Sequence, residues 1–337
     1  MHGTHSSARI ADAECLKLDK TCVIVQSEGV TAQDAFPAGP RARDGFILRM
    51  SMAGNWQVEV QDRCALTILA VRTGSCAVQR GEATIQAEPG NLVVIHGTAP
   101  YRVLADSTQP RAAAVETYLI GPGQQCLGPA AQPVTETLRH GVRSWGNARD
   151  GADQLLVCTF TTTSAITDLI CEGRALRLID DAALWNWAEL LHLEAERQGP
   201  VQSLVLDRLL DILALQVLQQ MPGAGMVPGA KPGISAAVGA MWSAPAEPWN
   251  VALLAGIAAM SRSAFSAAFH EAMGMPPVGY LTRLRLALAW DALQNTNSPL
   301  GQIAGEVGYS SAFALSAAIR RVYSASPSEI RMLRRNG

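Results

Sequence analysis

The 7 cysteines of this 337-residue chain include no CxxC or CxC pair, and their number is odd. That excludes a zinc knuckle and speaks against a disulfide framework, so a reducing cytosol fits best. Lysine is nearly missing: of 27 basic residues only Lys17, Lys20 and Lys231 are not Arg. Charged residues make up only 17% and apolar ones 48%, which is not the composition of a disordered chain. The N-terminal MHGTHSSARIADAEC lacks an apolar core, so it does not read as a secretory signal. The uncharged stretch Ile212–Ala230 is broken by Gln, Pro and Gly and does not read as a membrane span. These features together predict a soluble, cytoplasmic protein without membrane contact. The length predicts two domains or three small ones.

The net charge of −2 conceals an asymmetry. Residues 1–247 hold 19 Lys/Arg and 25 Asp/Glu (−6), whereas residues 248–337 hold 8 and 4 (+4), and the two sum to −2. A basic terminal module behind an acidic body points to a polyanionic partner for the tail alone.

Residues 44–120 read as short strands rich in Val, Ile, Leu and Thr. Turns fall at Thr73-Gly74, Arg80-Gly81, Pro89-Gly90 and His96-Gly97. This spacing predicts an antiparallel barrel or sandwich, with Gln154–Thr161 as a further strand. Helical periodicity follows at Leu184–Arg197 and Gln202–Met221. In the second helix Leu206, Leu209, Leu210, Leu213, Val217 and Leu218 form a broad apolar face. It fits a core helix and a dimerisation helix equally. Met221–Gly233 carries seven Gly or Pro in thirteen residues and reads as a linker.

The last ninety residues contain a repeat at an offset of fifty. FSAAF (Phe265–Phe269) returns as LSAAI (Leu315–Ile319), Pro277 returns as Pro327, and Tyr280 is replaced by Ile330. Each copy has helix-turn-helix grammar. Ala255 and Ala304 are small where the second helix crosses the first. Ala259 and Gly308 sit where the turn needs unusual backbone angles. Ser261, and Ser310 or Ser311, can cap the second helix. Between the units, Val278–Gln294 predicts one helix of about 25 Å. Such a connector can hold two recognition helices in successive major grooves, about 34 Å apart.

From Pro248 to Arg335 the chain resembles the AraC/XylS transcription regulators. The resemblance rests on PWNVALLAGIAAMSRSAFSAAF, on Gly274 with Pro277 and Tyr280, and on LTRLRLALAWDAL, IAGEVGYSS and SPSEIR. The preceding region is similar, more loosely, to a subgroup with an N-terminal cupin-like barrel: Pro89-Gly90-Asn91 before LVVI, QLLVCTF, and VLDRLLDILALQVLQ. The resemblance implies an α+β multidomain chain. Residues 1–180 would form a cupin-like antiparallel sensor barrel and 181–221 its helical dimerisation segment. Residues 222–233 would be the linker, and 234–337 an all-α DNA-binding domain with two helix-turn-helix units. It further implies a homodimer that binds double-stranded DNA and responds to a small-molecule effector, without catalysis and without a cofactor.

By the same resemblance, base-reading faces include Ser263, Ser266 and Ala267 in the first unit. In the second they include Ala312, Phe313, Ser316 and Ala317, with Ser310 and Ser311 at the entry. Relatives often carry Arg, Gln or Lys at such places; here apolar contact with thymine methyls and DNA shape would carry more of the reading. Arg262, Arg283, Arg285, Arg320, Arg321 and His270 are expected phosphate contacts or base readers, with Arg331, Arg334 and Arg335 at the extreme end. Ser324 in place of the usual Gly, and Ile330 in place of an aromatic, read as packing substitutions.

Cupin enzymes hold a metal with clustered His and a carboxylate. Here the six His form no HxH pair, Leu66–Arg72 reads LTILAVR where such a pair would lie, and Tyr101 stands at a later ligand position. No metal site is expected, and a metalloenzyme is the least favoured reading. Trp56, Arg72, Cys76 and Tyr101 are the candidates for lining an effector pocket. The alternative is a regulator controlled by thiol oxidation or by a partner protein. Cys15, Cys22, Cys64 and Cys76 would then be the sensors.

Overall fold

Strand β3 (Leu66–Thr73, LTILAVRT) is apolar at both parities, and this continuity marks a strand covered on both faces. The computed structural model, which describes residues 45–106, 114–221 and 231–333, shows why. Leu69 and Val71 point into the space between two sheets, whereas Leu66, Ile68 and Ala70 point to a layer of helices.

The strands before β3 are β1 (Gly45–Met52) and β2 (Trp56–Val60). After it come β4 (Cys76–Arg80), β5 (Ala83–Ala87), β6 (Asn91–His96), β7 (Tyr101–Ala105) and β8 (Glu116–Ile120). Then follow β9 (Cys126–Leu127), β10 (Arg139–Gly141), β11 (Ser144–Trp145) and β12 (Asp153–Phe160). Helix α1 (Ala165–Cys171) precedes β13 (Leu176–Asp180). One sheet runs β10-β11-β1-β12-β3-β6-β13 and the other β5-β4-β7-β2-β8-β9. Pairing is antiparallel except where β1 meets β11 and β2 meets β8. Gly74, Gly81, Gly90 and Gly97, at the turns expected from sequence, all take positive φ.

Helices α2 (Ala182–Glu196) and α3 (Gln202–Gln219) lie on the outer face of the first sheet. Asp181 caps α2 by accepting from the backbone N–H groups of Ala183 and Leu184. Leu206, Leu210, Leu213, Val217 and Leu218 are buried in this layer, so the broad apolar face of α3 is core. The side that stays exposed carries Leu190 and Leu193 on α2, and Leu204 and Val205 on α3.

The C-terminal part is helical: α4 (Pro232–Ser243), α5 (Val251–Ile257), α6 (Arg262–Met273), α7 (Pro277–Asn295), α8 (Leu300–Glu306), α9 (Ala312–Tyr323) and α10 (Pro327–Leu333). Pro at the start of α4 has the φ a first turn needs, so the helix begins inside the segment read as linker. Helix α1 packs on α7, and one apolar cluster runs from the first sheet through α1–α3 into the C-terminal helices. No single helix among the described residues is long and apolar enough to cross a membrane. Cys15, Cys22, linker positions 222–230, Arg334 and Arg335 lie outside the described residues.

Candidate nucleic-acid interface and effector cavity

Two short helix pairs repeat one geometry. Helix α5 is capped by Asn250, and its axis bends by 83° into that of α6, near the angle of a helix-turn-helix. Ala255 and Ala304 are buried where the helices cross. Ala259 (φ 51°) and Gly308 (φ 78°) hold the left-handed turn positions. At Gly308 a Cβ would lie 2.9 Å from the Ala246 backbone and from the Arg285 guanidinium carbon, so only glycine fits. Ser261 caps α6 by accepting from the Ala264 N–H at 3.3 Å; Ser311 caps α9 by accepting from the Ala314 N–H at 3.1 Å. Ser311, and not Ser310, is thus the second cap.

The buried faces of α6 and α9 carry Phe265, Phe269 and Met273, and Leu315, Ala318 and Ile319. The opposite faces remain open. On α6, Arg262, Ser263, Ala267 and His270 are exposed and Ser266 is half-buried. On α9, Ala317, Arg320 and Arg321 are exposed, Ala312 and Ser316 are half-buried, and Phe313 is 84% exposed. A phenyl ring held out this far at the start of a capped helix is an apolar contact without an intramolecular use. Helix α7, at 19 residues, is about 28 Å long and joins the two units. Tyr280 and Ile330 fill equivalent buried positions, and the Tyr280 hydroxyl accepts from Trp242 Nε1 at 2.8 Å.

Three of the arginines expected at DNA are engaged within the fold. Arg285 donates to the carbonyls of Pro245 (2.7 Å), Glu247 (2.7 Å) and Gly308 (3.3 Å), and so braces the second turn. This corrects its expected role as a phosphate contact or base reader. Arg331 donates to the Ser298 carbonyl. Arg283 forms an ion pair with Glu172, and nearby Arg174 donates to the Ala272 carbonyl at the end of α6. Arg283, Glu172 and Arg174 also line a cavity of about 570 Å³, whose other walls are α1, the turn that follows it, His96, Val322 and Tyr323. Ser324 is also more than a packing substitution: it takes φ 53°, a left-handed position that its counterpart Gly274 (φ 73°) adopts without strain.

The four effector-pocket candidates do not come together. Trp56, Cys76 and Tyr101 are buried between the sheets, where Trp56 Nε1 donates to Asp153 Oδ2 at 2.6 Å. Arg72 lies on the opposite face of β3 and bonds Glu189 of α2 and Gln154. A one-residue alternation separates Arg72 from the interior, and parity could not be read from sequence. A cavity walled by residues of this domain alone lies elsewhere. It measures about 320 Å³ and opens between the β10–β11 edge of one sheet and the β8–β9 edge of the other, with Phe46, Leu48, Ile120, Trp145, Arg139 and Arg143 among its walls. The short irregular strands β9–β11 lacked the alternation that would have marked it.

Among the described residues, no three or more His, Cys, Asp or Glu side chains form a group able to hold a metal ion. His96 Nε2 pairs with Asp168 Oδ1 at 3.1 Å. Burial pushes the thiols of Cys64, Cys76 and Cys171 up to about 12 and that of Cys126 up to about 11. It raises Cys158 as well.

A family model described as a cupin matches residues 38–222, more than half of the chain, and one described as a helix-turn-helix domain matches residues 254–332. The chain belongs to the AraC family of transcription regulators, in a form with a cupin N-terminal domain. It is 37% identical over 154 residues to a protein of Streptomyces antibioticus described as an AraC-like transcription regulator, covering 43% of this chain and 51% of that one. It is 33% identical over 145 residues to the helix-turn-helix transcriptional regulator AlkR of Acinetobacter baylyi, covering 41% and 47%. The chain thus spans about half the length of these curated relatives. A solved transcriptional regulator with an AraC-type DNA-binding domain from Chromobacterium violaceum aligns at 30% identity, covering 32% of this chain and 96% of that one, with a TM-score of 0.30.

Proposed function

We propose that the chain binds double-stranded DNA in a sequence-specific manner and regulates transcription as a homodimer, under control of a small-molecule effector held by the N-terminal domain. The observation that carries this reading is the pair of serine-capped helices, α6 and α9, with open faces and a rigid helix between them. Arg262, Ser263, Ser266, Ala267 and His270 supply the first reading face; Ala312, Phe313, Ser316, Arg320 and Arg321 supply the second, with Ser310 and Ser311 at its entry. Arg283 adds a phosphate contact once released from Glu172. The exposed leucines of α2 and α3 support a second copy as the partner there. Control by a thiol finds no support in Cys64, Cys76, Cys126, Cys158 or Cys171, which are all buried. The test is gel-shift titration of the full chain against DNA from upstream of its own operon. Specific binding that weakens steeply with salt is expected; a folded protein without such affinity would overturn the proposal.

A further inference from the structure

The mouth between the two sheet edges has one apolar wall and one charged wall with an excess of one arginine. Phe46 and Leu48 of β1, Ile120 of β8 and Trp145 of β11 form the first. Arg139 and Arg143 stand on the second, together with the Glu136 carboxylate. Arg139 is already balanced, since its Nη1 lies 3.5 Å from Glu136 Oε2. Among the described residues Arg143 has no carboxylate partner: its Nη1 donates to the neutral Gln202 Oε1 at 3.3 Å. The cavity therefore carries one uncompensated positive charge beside an aromatic and aliphatic surface.

Arg143 is also held in a costly conformation. It sits in the β10–β11 turn at φ 61°, a left-handed value that suits Gly or Asn and not a long side chain. Its carbonyl accepts from the Arg49 N–H at 2.8 Å, which fixes the turn against β1. Backbone strain of this kind persists where the surroundings over-determine it, and it concentrates at ligand clamps. The turn places Arg143 at the cavity wall, with its guanidinium on Gln202, at the expense of backbone comfort.

The partner of Arg143 leads out of the cavity. Gln202 is buried at the start of α3, and its Nε2 donates to the Glu194 carbonyl at 2.6 Å and to that of Arg197. It ties together the turn between α2 and α3. Leu193 and Leu204, on the exposed apolar side, flank that turn.

We propose that this cavity binds a small monocarboxylate with an apolar body, its carboxylate held by the Arg143 guanidinium and its body against Trp145, Phe46 and Ile120. A guanidinium presents paired donors that match a carboxylate, and a neutral amide cannot replace that charge. About 320 Å³ lies at the small end of ligand pockets and suits one ring or a short chain. Occupancy draws Arg143 from Gln202 and loosens the α2–α3 turn, which carries the signal to the exposed leucines. This assignment rests on reading the N-terminal domain as an effector sensor and names the effector's class.

The experiment is calorimetric titration and thermal melting of the full chain with two matched pairs: phenylacetate against phenylacetamide, and hexanoate against hexanamide. At least one acid should bind about tenfold or more tightly than its amide. Arg143→Gln should remove that preference, and Arg72→Gln, on the other face of the sheet, should keep it. Ile120→Trp fills the cavity with Arg143 intact and should abolish binding; it covers the case in which Arg143→Gln fails to fold. Equal binding of acid and amide, both abolished in Ile120→Trp, would overturn the carboxylate assignment and leave an effector cavity. Binding that survives Ile120→Trp, or no binding by either acid, would overturn the proposal outright. A gel shift on the same preparation then shows whether the DNA-binding reading stands without it.

Discussion

Arg283, on the helix that joins the two helix-turn-helix units, forms an ion pair with Glu172, the residue that ends α1 of the N-terminal domain. The Glu172 carboxylate neutralises the Arg283 charge and so competes with a DNA phosphate for it. Both side chains are partly exposed, and pairs of this kind are worth at most about 1 kcal/mol. Glu172→Gln should therefore raise the affinity of the full chain for its target DNA by up to about fivefold. Fluorescence anisotropy checks this; unchanged or weaker binding would contradict the competition.

The dimer should respond to the exposed leucines and not to the buried ones. Leu190→Asp with Leu204→Asp should give a folded monomer by light scattering. Leu210→Asp buries a charge in the core and should unfold the N-terminal domain, at a cost of several kcal/mol. A wild-type chain that is monomeric at micromolar concentration would defeat the dimer.

Ser324→Gly removes a left-handed φ from a residue with a Cβ and leaves an exposed position otherwise unchanged. Relief of about 1 kcal/mol is partly offset by the greater freedom of unfolded Gly, so a net gain of about 0.5 kcal/mol is expected. Chemical denaturation of the full chain, followed by the transition of its helical domain, measures it. A decrease in stability would show that the Ser324 hydroxyl matters.

A raised thiol pKa leaves less thiolate at a given pH. Cys64, Cys76, Cys126, Cys158 and Cys171 should therefore resist iodoacetamide at pH 8 in the native protein and react after unfolding. Mass spectrometry of labelled peptides decides this. Rapid native labelling at any of the five would revive thiol control through that residue.

How far the sequence spoke depended on how local the determinant was. The caps Ser261 and Ser311, the turn positions Ala259 and Gly308, and the buried Ala255 and Ala304 all act within one helix-turn-helix, so their spacing was readable. Connector helix α7 differs from expectation by a residue at each end. The burial of Leu206 and Leu210 needed the sheet beneath them, and the placement of Arg72 needed strand parity. The use of Arg285 on three carbonyls and of Arg283 on Glu172 joins residues far apart in the chain, which no periodicity encodes. Helix α1 and strand β13 are short and went unread, although α1 builds one side of the contact between the two halves.

Sequence-specific DNA binding through α6 and α9 is tested most directly by binding-site selection on two double variants of the full chain, in which the two helices should take different parts. Ser263→Ala with Ser266→Ala removes hydrogen-bonding groups from the start of α6 and should flatten preference at a few base pairs, by about 1–3 kcal/mol for each well-formed bond to a base edge. Arg320→Ala with Arg321→Ala removes exposed charges from the last turn of α9. It should weaken binding to every sequence and lower the salt slope by about one for each phosphate no longer neutralised. An arginine variant that changes the preferred sequence, beside a serine variant that does not, would contradict this division of roles. Failure of the wild-type chain to select any sequence would contradict the function itself.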